Sequence, residues 1–547
     1  MIRKSIFSLA AVAICAFSAP ALADPPTLRT QADATQLIVH GKPHLIIGGE
    51  LSNSAAPSAE YMAPHWQRLK TMHLNTVLAP VSWELIEPVE GRYDWSSVDS
   101  MIKAARANDL KIVILWFGAW KNSMSTYVPG WVKRDQARFP RAALPSGQGV
   151  EILSTFGGET LQADQRAFAA LMAHLKAVDD KDNTVVMTQV ENEIGMLPVA
   201  RDYGAAASAA FREPVPAALV DYLVKNRVQL VPEMKAMWVD RGARTQGNWE
   251  ELFGPGDAGA EVFTAWHYAR FADELTRAGK AAYAMPMFVN VALNRPGRNP
   301  GEYPSGGPLP HLLDVWKAGA PSIDFLAPDI YFSNFTRIVA RYHRPDNPLF
   351  IPEAHNASNP AVPANAFYAL AAHDAIGFSP FSIDSIDENP GALKEAYDVL
   401  QQLKPFILAA QGSDRIAGFK PHQAYDDSLD FAPQERVIGE YRFTVSFTQD
   451  IQKPVMTPET AGYGGMIIQI APEEYLVAGQ GITVTFKPAQ DGPALAGIDR
   501  AYEGTFGVDG AWKPGRLLNG DQTHQGRHIR INPGDCQIQR VKLYRYR

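Results

Sequence analysis

V-V-M-T-Q-V-E-N-E-I-G-M, the stretch from Val185 to Met196, is the clearest sign of the fold of this chain. Its first six residues are mostly apolar or β-branched, which is typical of a parallel strand buried on both faces. Glu191, Asn192 and Glu193 follow directly. A buried carboxylate without a partner is unfavourable by several kcal/mol, so two of them at the end of a buried strand indicate a functional site.

Strand and helix patterns alternate on both sides of this stretch. The predicted strands are 44–49, 75–81, 111–117, 185–190, 285–290, 323–331, 348–353 and 375–384. The clearest helical patterns cover 60–72, 261–280 and 393–410. Eight strand-then-helix units in one direction predict the α/β class and a (β/α)8 TIM barrel. A doubly wound sheet of eight strands is the less economical alternative.

From about residue 412 the pattern changes to alternating strands separated by turn residues. The predicted strands here are 441–447, 466–470, 482–486, 502–508, 528–531 and 537–546. They predict a C-terminal antiparallel β-sandwich over 412–547, after a catalytic barrel over 24–411. Covering the barrel is favoured over ligand binding as the role of this accessory domain.

Composition and charge exclude several classes of partner. The 547 residues are 46% hydrophobic and include 11 Trp and 19 Tyr, which allows a large core and suits a neutral, polyhydroxylated ligand. The net charge of −7, without runs of Lys or Arg, argues against nucleic acid and anionic membranes as partners. No group of His, Cys and Asp has the spacing of metal ligands, so we expect no metal and no cofactor.

Residues 1–23 have the pattern of a secretory signal peptide. Arg3 and Lys4 precede an apolar run over 6–17, and Ala21-Leu22-Ala23 fits the small-x-small cleavage pattern. We therefore expect export to the periplasm or the medium. We expect no membrane insertion of the mature chain, because it has no other run of about 18 apolar residues. Cys536 would be its one cysteine, so no intrachain disulfide is expected.

The ends of the predicted strands supply a second glutamate. Chemistry in such barrels lies at the carboxyl ends of the strands, and strand seven ends at Glu353. Two carboxyl groups about 5–5.5 Å apart hydrolyse glycosides with retention, since one protonates the leaving oxygen while the other attacks the anomeric carbon. Such closeness also separates the two pKa values. We therefore predict Glu193 and Glu353 as the catalytic pair, with Asp329 and Asp384 as rivals of Glu353.

Two motifs resemble a known family. Residues 189–195, Q-V-E-N-E-I-G, resemble the acid/base motif of the β-galactosidases of glycoside hydrolase family 35. Residues 83–95 are similar to the segment after strand two in the same clan of barrel glycosidases, and the resemblance covers about residues 36–400. It implies Glu193 as acid/base, Glu353 as nucleophile and Asn192 as a contact of the sugar 2-hydroxyl. The implied reaction removes terminal β-linked galactose from oligo- or polysaccharides.

The sugar and the mode of action stay open. Many members of that family have Ala-Glu-Trp after strand three, with the glutamate touching galactose, whereas this chain has Gly118-Ala119-Trp120. One interpretation is a divergent branch that trims galactose from polysaccharides such as xyloglucan. Another sugar specificity, endo action and a non-catalytic carbohydrate-binding protein are the alternatives. The sequence does not indicate the oligomeric state.

Further side chains are predicted to contact the sugar because of their strand-end position or aromatic type. They are Glu50, Asn53, Trp83, Trp120, Trp266, Asn290 and Tyr331. Core or rim packing is the alternative for each of them. Tyr331 is also expected to hold the nucleophile through its hydroxyl group. Glu191 has the strand parity of Glu193, so we expect it to point into the barrel two residues deeper and to support the site.

Overall fold

The structure, a computed structural model, describes residues 24–386, 391–447 and 462–547. The predicted signal peptide, 1–23, therefore lies outside the described residues. Within these ranges, no helix combines the length and the apolar character that crossing a membrane requires.

Eight parallel strands form one sheet that curves into a barrel. They are β1 (Ile46–Glu50), β2 (Thr76–Ser82), β3 (Lys111–Phe117), β4 (Val185–Gln189), β5 (Met287–Ala292), β6 (Phe325–Ile330), β7 (Glu353–Ala354) and β8 (Gly377–Phe378). Consecutive strands from β1 to β7 pair in parallel, and β8 pairs with β1. Hydrogen bonds from Ile376 N–H to Leu349 O and from Ser379 N–H to Ile351 O join the last two strands and close the ring.

One helix follows each barrel strand. The helices are α1 (Ala59–Thr71), α2 (Ser96–Ala107), α3 (Gly158–Asp179), α4 (Asp257–Ala282), α5 (Leu313–Gly319), α6 (Phe335–Tyr342), α7 (Val362–Ala372) and α8 (Ala392–Ala410). Spacing of apolar residues explains the packing, since α2 buries Val98, Met101, Ile102 and Ala105 on one face. The predicted (β/α)8 barrel is confirmed.

Side chains of the barrel strands point alternately into the barrel interior and outward to the helices, so they form two layers of packing. In β2, Leu78 faces the barrel interior, whereas Val77 and Ala79 pack outward against the helices. Both faces are apolar, which explains why the strands read as continuous hydrophobic runs. β7 is shorter than the predicted 348–353 because Pro352 has no N–H to donate to the ladder.

Smaller elements decorate the barrel. An N-terminal antiparallel sheet packs Leu37 and Val39 against the barrel interior. Its strands are Thr27–Gln31, Ala34–Val39 and Lys42–His44. A hairpin lies between β3 and α3, and its strands are Arg141–Ala143 and Gly149–Leu153. Short helices are Trp83–Ile86, Gly130–Arg134, Ala205–Arg212, Ala217–Lys225, Pro232–Met234, Trp249–Phe253, the π-helix Lys235–Val239 and the 3-10 helix Ile383–Ser385. A further 3-10 helix, Gly520–Gln522, lies in the C-terminal part.

The C-terminal part is built of antiparallel strands. They are β9 (Ile416–Phe419), β10 (His422–Gln423), β11 (Leu429–Asp430), β12 (Gln434–Ile438), β13 (Tyr441–Ser446), β14 (Gly464–Ala471), β15 (Glu474–Gln480), β16 (Ile482–Pro488), β17 (Leu495–Phe506), β18 (Trp512–Leu517), β19 (His528–Ile531) and β20 (Gln537–Tyr546).

These strands form two main sheets and one small hairpin. The sheet orders are β9-β14-β15-β20-β17-β18 and β12-β13-β16-β19, and β10 pairs with β11. Phe443 and Val445 of the smaller sheet pack with Tyr475 and Val477 of the larger one. The predicted antiparallel sandwich is confirmed, although strands β9, β10, β11, β12, β15 and β18 were missed. The boundary between residues 411 and 412 stays a prediction.

Candidate active site

Three carboxyl groups meet at the carboxyl end of the barrel. Glu193 follows β4, Asp329 lies in β6 and Glu353 begins β7, and one oxygen of each lies within 4.8 Å of the others. All three side chains belong to buried residues. The approach of Glu193 to Glu353 fits a retaining pair of carboxyl groups and is too close for an inverting pair, which must leave room for a water molecule.

The backbone after β4 explains how Glu193 reaches this position. Glu191 and Glu193 both have left-handed backbone, with φ of 61° and 46°. Glu193 N–H donates to Asn290 Oδ1 at 2.9 Å, and its carbonyl accepts from Ser123 N–H at 3.1 Å. The conformation is thus fixed by β5 on one side and by the segment after β3 on the other.

The surroundings of Glu193 favour its protonated form. Burial, followed by the charge of Glu353, raises its pKa to about 7, while Lys121 and hydrogen bonds from Asp329 and Asn122 lower the pKa by less. Asn122 Nδ2 donates to the Glu193 carboxylate. A carboxyl group that is half protonated near neutral pH is suited to give and to take a proton.

Asp329 is held as a neutral group. Burial and the charges of Glu353 and Glu193 raise its pKa well above the usual range. It accepts a hydrogen bond from Asn290 Nδ2 and is bonded to Glu193 as well. Asn290, a predicted sugar contact, therefore uses both its amide oxygen and its amide nitrogen to hydrogen-bond Glu193 and Asp329, and it positions these two residues.

Glu353 has donors of its own. Tyr331 donates its hydroxyl proton to Glu353 Oε1, as the sequence suggested. Burial and the neighbouring carboxylates raise the pKa of Tyr331, so the phenol stays protonated. Glu50 is hydrogen-bonded to Glu353, and burial together with the Glu353 charge raises the pKa of Glu50 well above its usual range. Protonated Glu50 is thus a second donor to the carboxylate.

Two buried amide atoms at this end of the barrel lack a partner among the described residues. They are Asn53 Oδ1 and Asn192 Nδ2. Lys121 Nζ donates to Asn192 Oδ1 at 2.9 Å, which leaves the Nδ2 of that amide free to donate elsewhere. Unpaired buried polar atoms are unfavourable, and sugar hydroxyl groups would satisfy them as donors or acceptors.

Glu191 lies outside this cluster, and the expectation that it points into the barrel is wrong. Its Oε2 accepts from Trp120 N–H at 2.8 Å, and Asp164 of α3 is hydrogen-bonded to it. A side chain on Gly118 would lie 2.6 Å from Glu191 Oε1, so glycine is required there. The left-handed residues interrupt the strand alternation, and Glu191 supports the segment after β3 from the helix side.

The three predicted tryptophan contacts are corrected by the structure. Trp83 donates to Glu87 at 2.8 Å, Trp120 donates to Leu153 O at 3.2 Å, and Trp266 of α4 packs against α5. All three are buried in the main hydrophobic core among the helices. Aromatic type alone did not separate core residues from residues of the site.

Asp384, a rival of Glu353, lies away from the three carboxyl groups. It accepts from Ser52 N–H at 2.7 Å and from the Tyr61 hydroxyl at 3.0 Å, and it thereby holds the segment after β1. Lys121 and Asn122 were missed by the sequence reasoning. They follow β3 at the carboxyl end of the barrel, directly after Trp120, and this position is the signal that could have identified them.

The carboxyl cluster has the ligand spacing of a cation site as well as of a catalytic pair. Glu193, Asp329 and Glu353 each offer one oxygen, and oxygen ligands suit a hard cation. Each of the three carboxyl groups already accepts a hydrogen bond from Asn122, Asn290 or Tyr331, which favours acid and base groups over cation ligands. We therefore read the cluster as acid and base groups.

Two family profiles match parts of the chain. The Glyco_hydro_42 profile, described as beta-galactosidase, matches residues 57–284. A profile described as a domain of unknown function, DUF5597, matches residues 393–530. The first of these covers β2 to α4 and therefore includes Glu193, whereas Glu353 lies beyond it.

Known proteins with similarity include several β-galactosidases. A β-galactosidase of Xanthomonas manihotis is 31% identical over 184 residues, which are 31% of this chain and 27% of the relative. A β-galactosidase from the psychrophilic Marinomonas ef1 has a TM-score of 0.46 at 14% identity, covering 67% of this chain and 60% of its own. The β-amylase catalytic domain of Paenibacillus polymyxa has a TM-score of 0.42 at 12% identity, covering 63% and 94%.

These comparisons correct one prediction. The chain is similar to β-galactosidases, but the matching profile is Glyco_hydro_42, a different family from glycoside hydrolase family 35. The broader resemblance to barrel glycosidases is therefore supported, and the family 35 assignment is not. The chain spans about a quarter of the length of the curated relative.

Proposed function

We propose that this protein is a retaining β-galactosidase that releases terminal β-linked galactose from oligo- or polysaccharides. The observation that carries the proposal is the pair formed by Glu193 and Glu353, whose oxygens approach within 4.8 Å in opposite surroundings. Glu193 has a raised pKa, whereas Glu353 is held by hydrogen-bond donors. Similarity to β-galactosidases over 57–284 supports the choice of sugar.

In the first step, Glu353 attacks the anomeric carbon and forms a glycosyl ester. The bond from that carbon to the leaving oxygen breaks, and the protonated Glu193 carboxyl group supplies the proton that this oxygen takes up. Tyr331 and Glu50 donate to the Glu353 carboxylate and orient it. Tyr331 holds Oε1, so Oε2 is the oxygen that we expect to attack.

In the second step, Glu193 acts as the base. Esterification removes the charge of Glu353, which is one cause of the raised pKa of Glu193. The pKa of Glu193 therefore falls, and its carboxylate takes a proton from water. The water oxygen attacks the anomeric carbon, the ester bond breaks, and galactose leaves with its configuration retained.

Asn192 is proposed to bind the sugar 2-hydroxyl. Lys121 fixes its Oδ1, so the Nδ2 group faces the ligand side without a protein partner. A hydrogen bond to this hydroxyl that strengthens in the transition state contributes several kcal/mol in glycosidases of this type.

The test compares two variants on aryl β-galactosides. Glu353→Gly should lose turnover and recover it with azide, which replaces the nucleophile and gives the α-galactosyl azide. Glu193→Ala should keep the ester-forming step for substrates with good leaving groups, and azide should then give the β-galactosyl azide. Exposed Glu213→Ala is the control and should match the wild type. Near-normal turnover of Glu353→Gly, without an azide effect, would refute the assignment.

The substrate specificity, the mode of cleavage and the export of the protein are also proposals, and each has its own test. Xyloglucan and galactan oligosaccharides separate terminal galactose release from endo action and from another sugar specificity. Export through residues 1–23 is proposed from their signal-peptide pattern, and N-terminal sequencing of the secreted protein tests it. The non-catalytic alternative predicts sugar binding without turnover, and the same substrates test it.

A further inference from the structure

A large cavity lies beside the mouth of the barrel, between the barrel and the C-terminal part. Its volume is about 870 Å³, in the upper part of the roughly 300–1,000 Å³ typical of ligand sites. The barrel contributes Asn294 after β5, Phe332 and Asn334 after β6, and one side of α6. The opposite wall is the hairpin formed by β10 and β11, and we call this space the hairpin cavity.

The hairpin is fixed to the barrel by specific contacts. Ser333 Oγ donates to Asp427 at the tip of the hairpin, and His422 is hydrogen-bonded to Thr336 at 3.0 Å. The rings of Phe332 and Tyr425 meet edge to face, with centroids 5.2 Å apart. The cavity therefore has a defined shape, because both walls are tied together at the start of α6.

Two parts of the cavity wall follow, along the chain, the strands that carry the carboxyl cluster. Tyr331, which donates to Glu353, directly precedes Phe332 of the cavity wall. Likewise, Asn290 of the carboxyl cluster lies in β5, and Asn294 of the wall follows that strand. A chain of sugars attached through the cleaved bond would pass from Glu353 over Tyr331 into this space.

The lining suits a neutral carbohydrate. Tyr425 is 41% exposed and, with Phe332, offers aromatic surface on which the apolar face of a sugar ring can pack. Asn334 Oδ1 is buried and accepts no hydrogen bond from a described residue, so a ligand hydroxyl would satisfy it. Of the charged residues in the lining, Arg341 is paired with Glu233 at 2.6 Å. Arg337 and Asp430 have opposite charge, so the lining does not select an ion of one sign.

We propose that the hairpin cavity binds the sugar units on the leaving-group side of the cleaved bond, so that the preferred substrate is a neutral oligosaccharide and not a simple galactoside. This inference rests on the proposed function. It gives the C-terminal part a role in substrate selection, because one complete wall of the cavity comes from β10, β11 and the turn between them.

The test compares two classes of substrate in a Tyr425→Ala variant. The probes are an aryl β-galactoside and galactosylated xyloglucan oligosaccharides, with galactotetraose as a second oligosaccharide. Loss of the aromatic surface should lower kcat/KM on oligosaccharides about tenfold, through KM, and leave the aryl substrate within about twofold. Tyr546→Ala is the matched control, because Tyr546 is 43% exposed but lies on β20.

Ser428→Trp provides a second variant that fills the cavity from the exposed hairpin. It should raise KM for the oligosaccharides and spare the aryl substrate. Equal loss on both classes in the two variants, or no loss on either, would overturn the inference. If the wild type cleaves no β-galactoside at all, the proposed function fails. In that case, calorimetric titration with the oligosaccharides tests the hairpin cavity as a binding site. Binding to the wild type that Tyr425→Ala weakens would support the inference, and absence of binding would overturn it.

Discussion

Glu193 and Glu353 are the same residue type in opposite roles, and their neighbours decide which is which. Glu193 is buried beside another carboxylate, which raises its pKa to about 7. Glu353 receives hydrogen bonds from Tyr331 and from Glu50, which fix the orientation of its carboxylate. The sequence named both residues from strand-end position alone. It also named Tyr331 as a donor to the nucleophile, whereas it gave Glu50 only as a sugar contact, because β1 and β7 are far apart in the chain.

The pH dependence of kcat/KM should report the protonation of Glu193. The acid must be protonated to release the leaving group, so kcat/KM should fall about tenfold per pH unit above about pH 7. Lys121 lowers the pKa of Glu193, and Lys121→Met should therefore shift this fall to higher pH. Lys133→Met, which breaks an ion pair with Glu84 at the surface, should leave the profile in place. An unchanged alkaline limb in Lys121→Met would contradict the assignment.

Tyr331→Phe removes one donor from the nucleophile and keeps the ring. A hydrogen bond to a charged group contributes about 1.5–3 kcal/mol, so kcat/KM should fall about ten- to a hundredfold. Steady-state kinetics on an aryl β-galactoside measure the effect, and the thermal midpoint should change little. Tyr93→Phe, at a partly exposed ring, is the control. Wild-type kinetics in Tyr331→Phe would remove the hydroxyl from the mechanism.

At the scale of elements, the end of β4 carries two glutamates with different purposes. Glu193 turns into the mouth, while Glu191 turns to α3 and accepts from Trp120 N–H. Period-two alternation predicted the same direction for both side chains. It failed because alternation holds only for extended backbone, and both residues are left-handed.

Variants of Glu191 separate support from catalysis. Glu191→Ala leaves the buried Trp120 N–H without an acceptor, which should lower the free energy of unfolding by about 1–3 kcal/mol. Glu191→Gln keeps an oxygen for that N–H and should retain most of the stability and kcat. Urea unfolding and aryl-galactoside kinetics measure the two effects. A loss of kcat in folded Glu191→Gln as deep as that of Glu193→Gln would make Glu191 catalytic.

At the scale of the whole molecule, the sandwich covers a helix of the barrel. Ten of the eleven residues of α7 are buried, all but Ala372, and β9 lies directly on it. A side chain on Gly418 of β9 would lie 3.0 Å from Ala372 N and 3.1 Å from Tyr368 Cα. Such close contact supports the predicted covering role of the accessory domain.

Gly418→Leu tests this contact. The added side chain meets backbone atoms of α7, and overpacking of this kind should destabilise the protein by about 1–3 kcal/mol or more. Gly158→Ala is the control, since nothing lies within 4 Å of that position at the start of α3. Thermal unfolding of both variants measures the difference. Unchanged stability of Gly418→Leu would mean that the sandwich does not rest on α7.

Much of the architecture could be predicted because the barrel strands have apolar residues on both faces. β3 matched its prediction residue for residue, and β19 and β20 did so in the sandwich. β7 was overestimated because Pro352 has no N–H to donate to the ladder, and β8 because its pairing is set by the neighbouring strands. The hairpin cavity could not be predicted from the sequence, because its two walls come from segments that are far apart in the chain.

The most direct test of the central claim is to trap the glycosyl ester. A 2-deoxy-2-fluoro-β-galactoside with a good leaving group slows the second step, so the sugar should remain bound to the enzyme. Peptide mass spectrometry should then find one label, on Glu353, and Glu353→Gly should acquire none. A label on Asp329, on Glu191 or on a residue outside the carboxyl cluster would contradict the account, as would the absence of any label on an active enzyme.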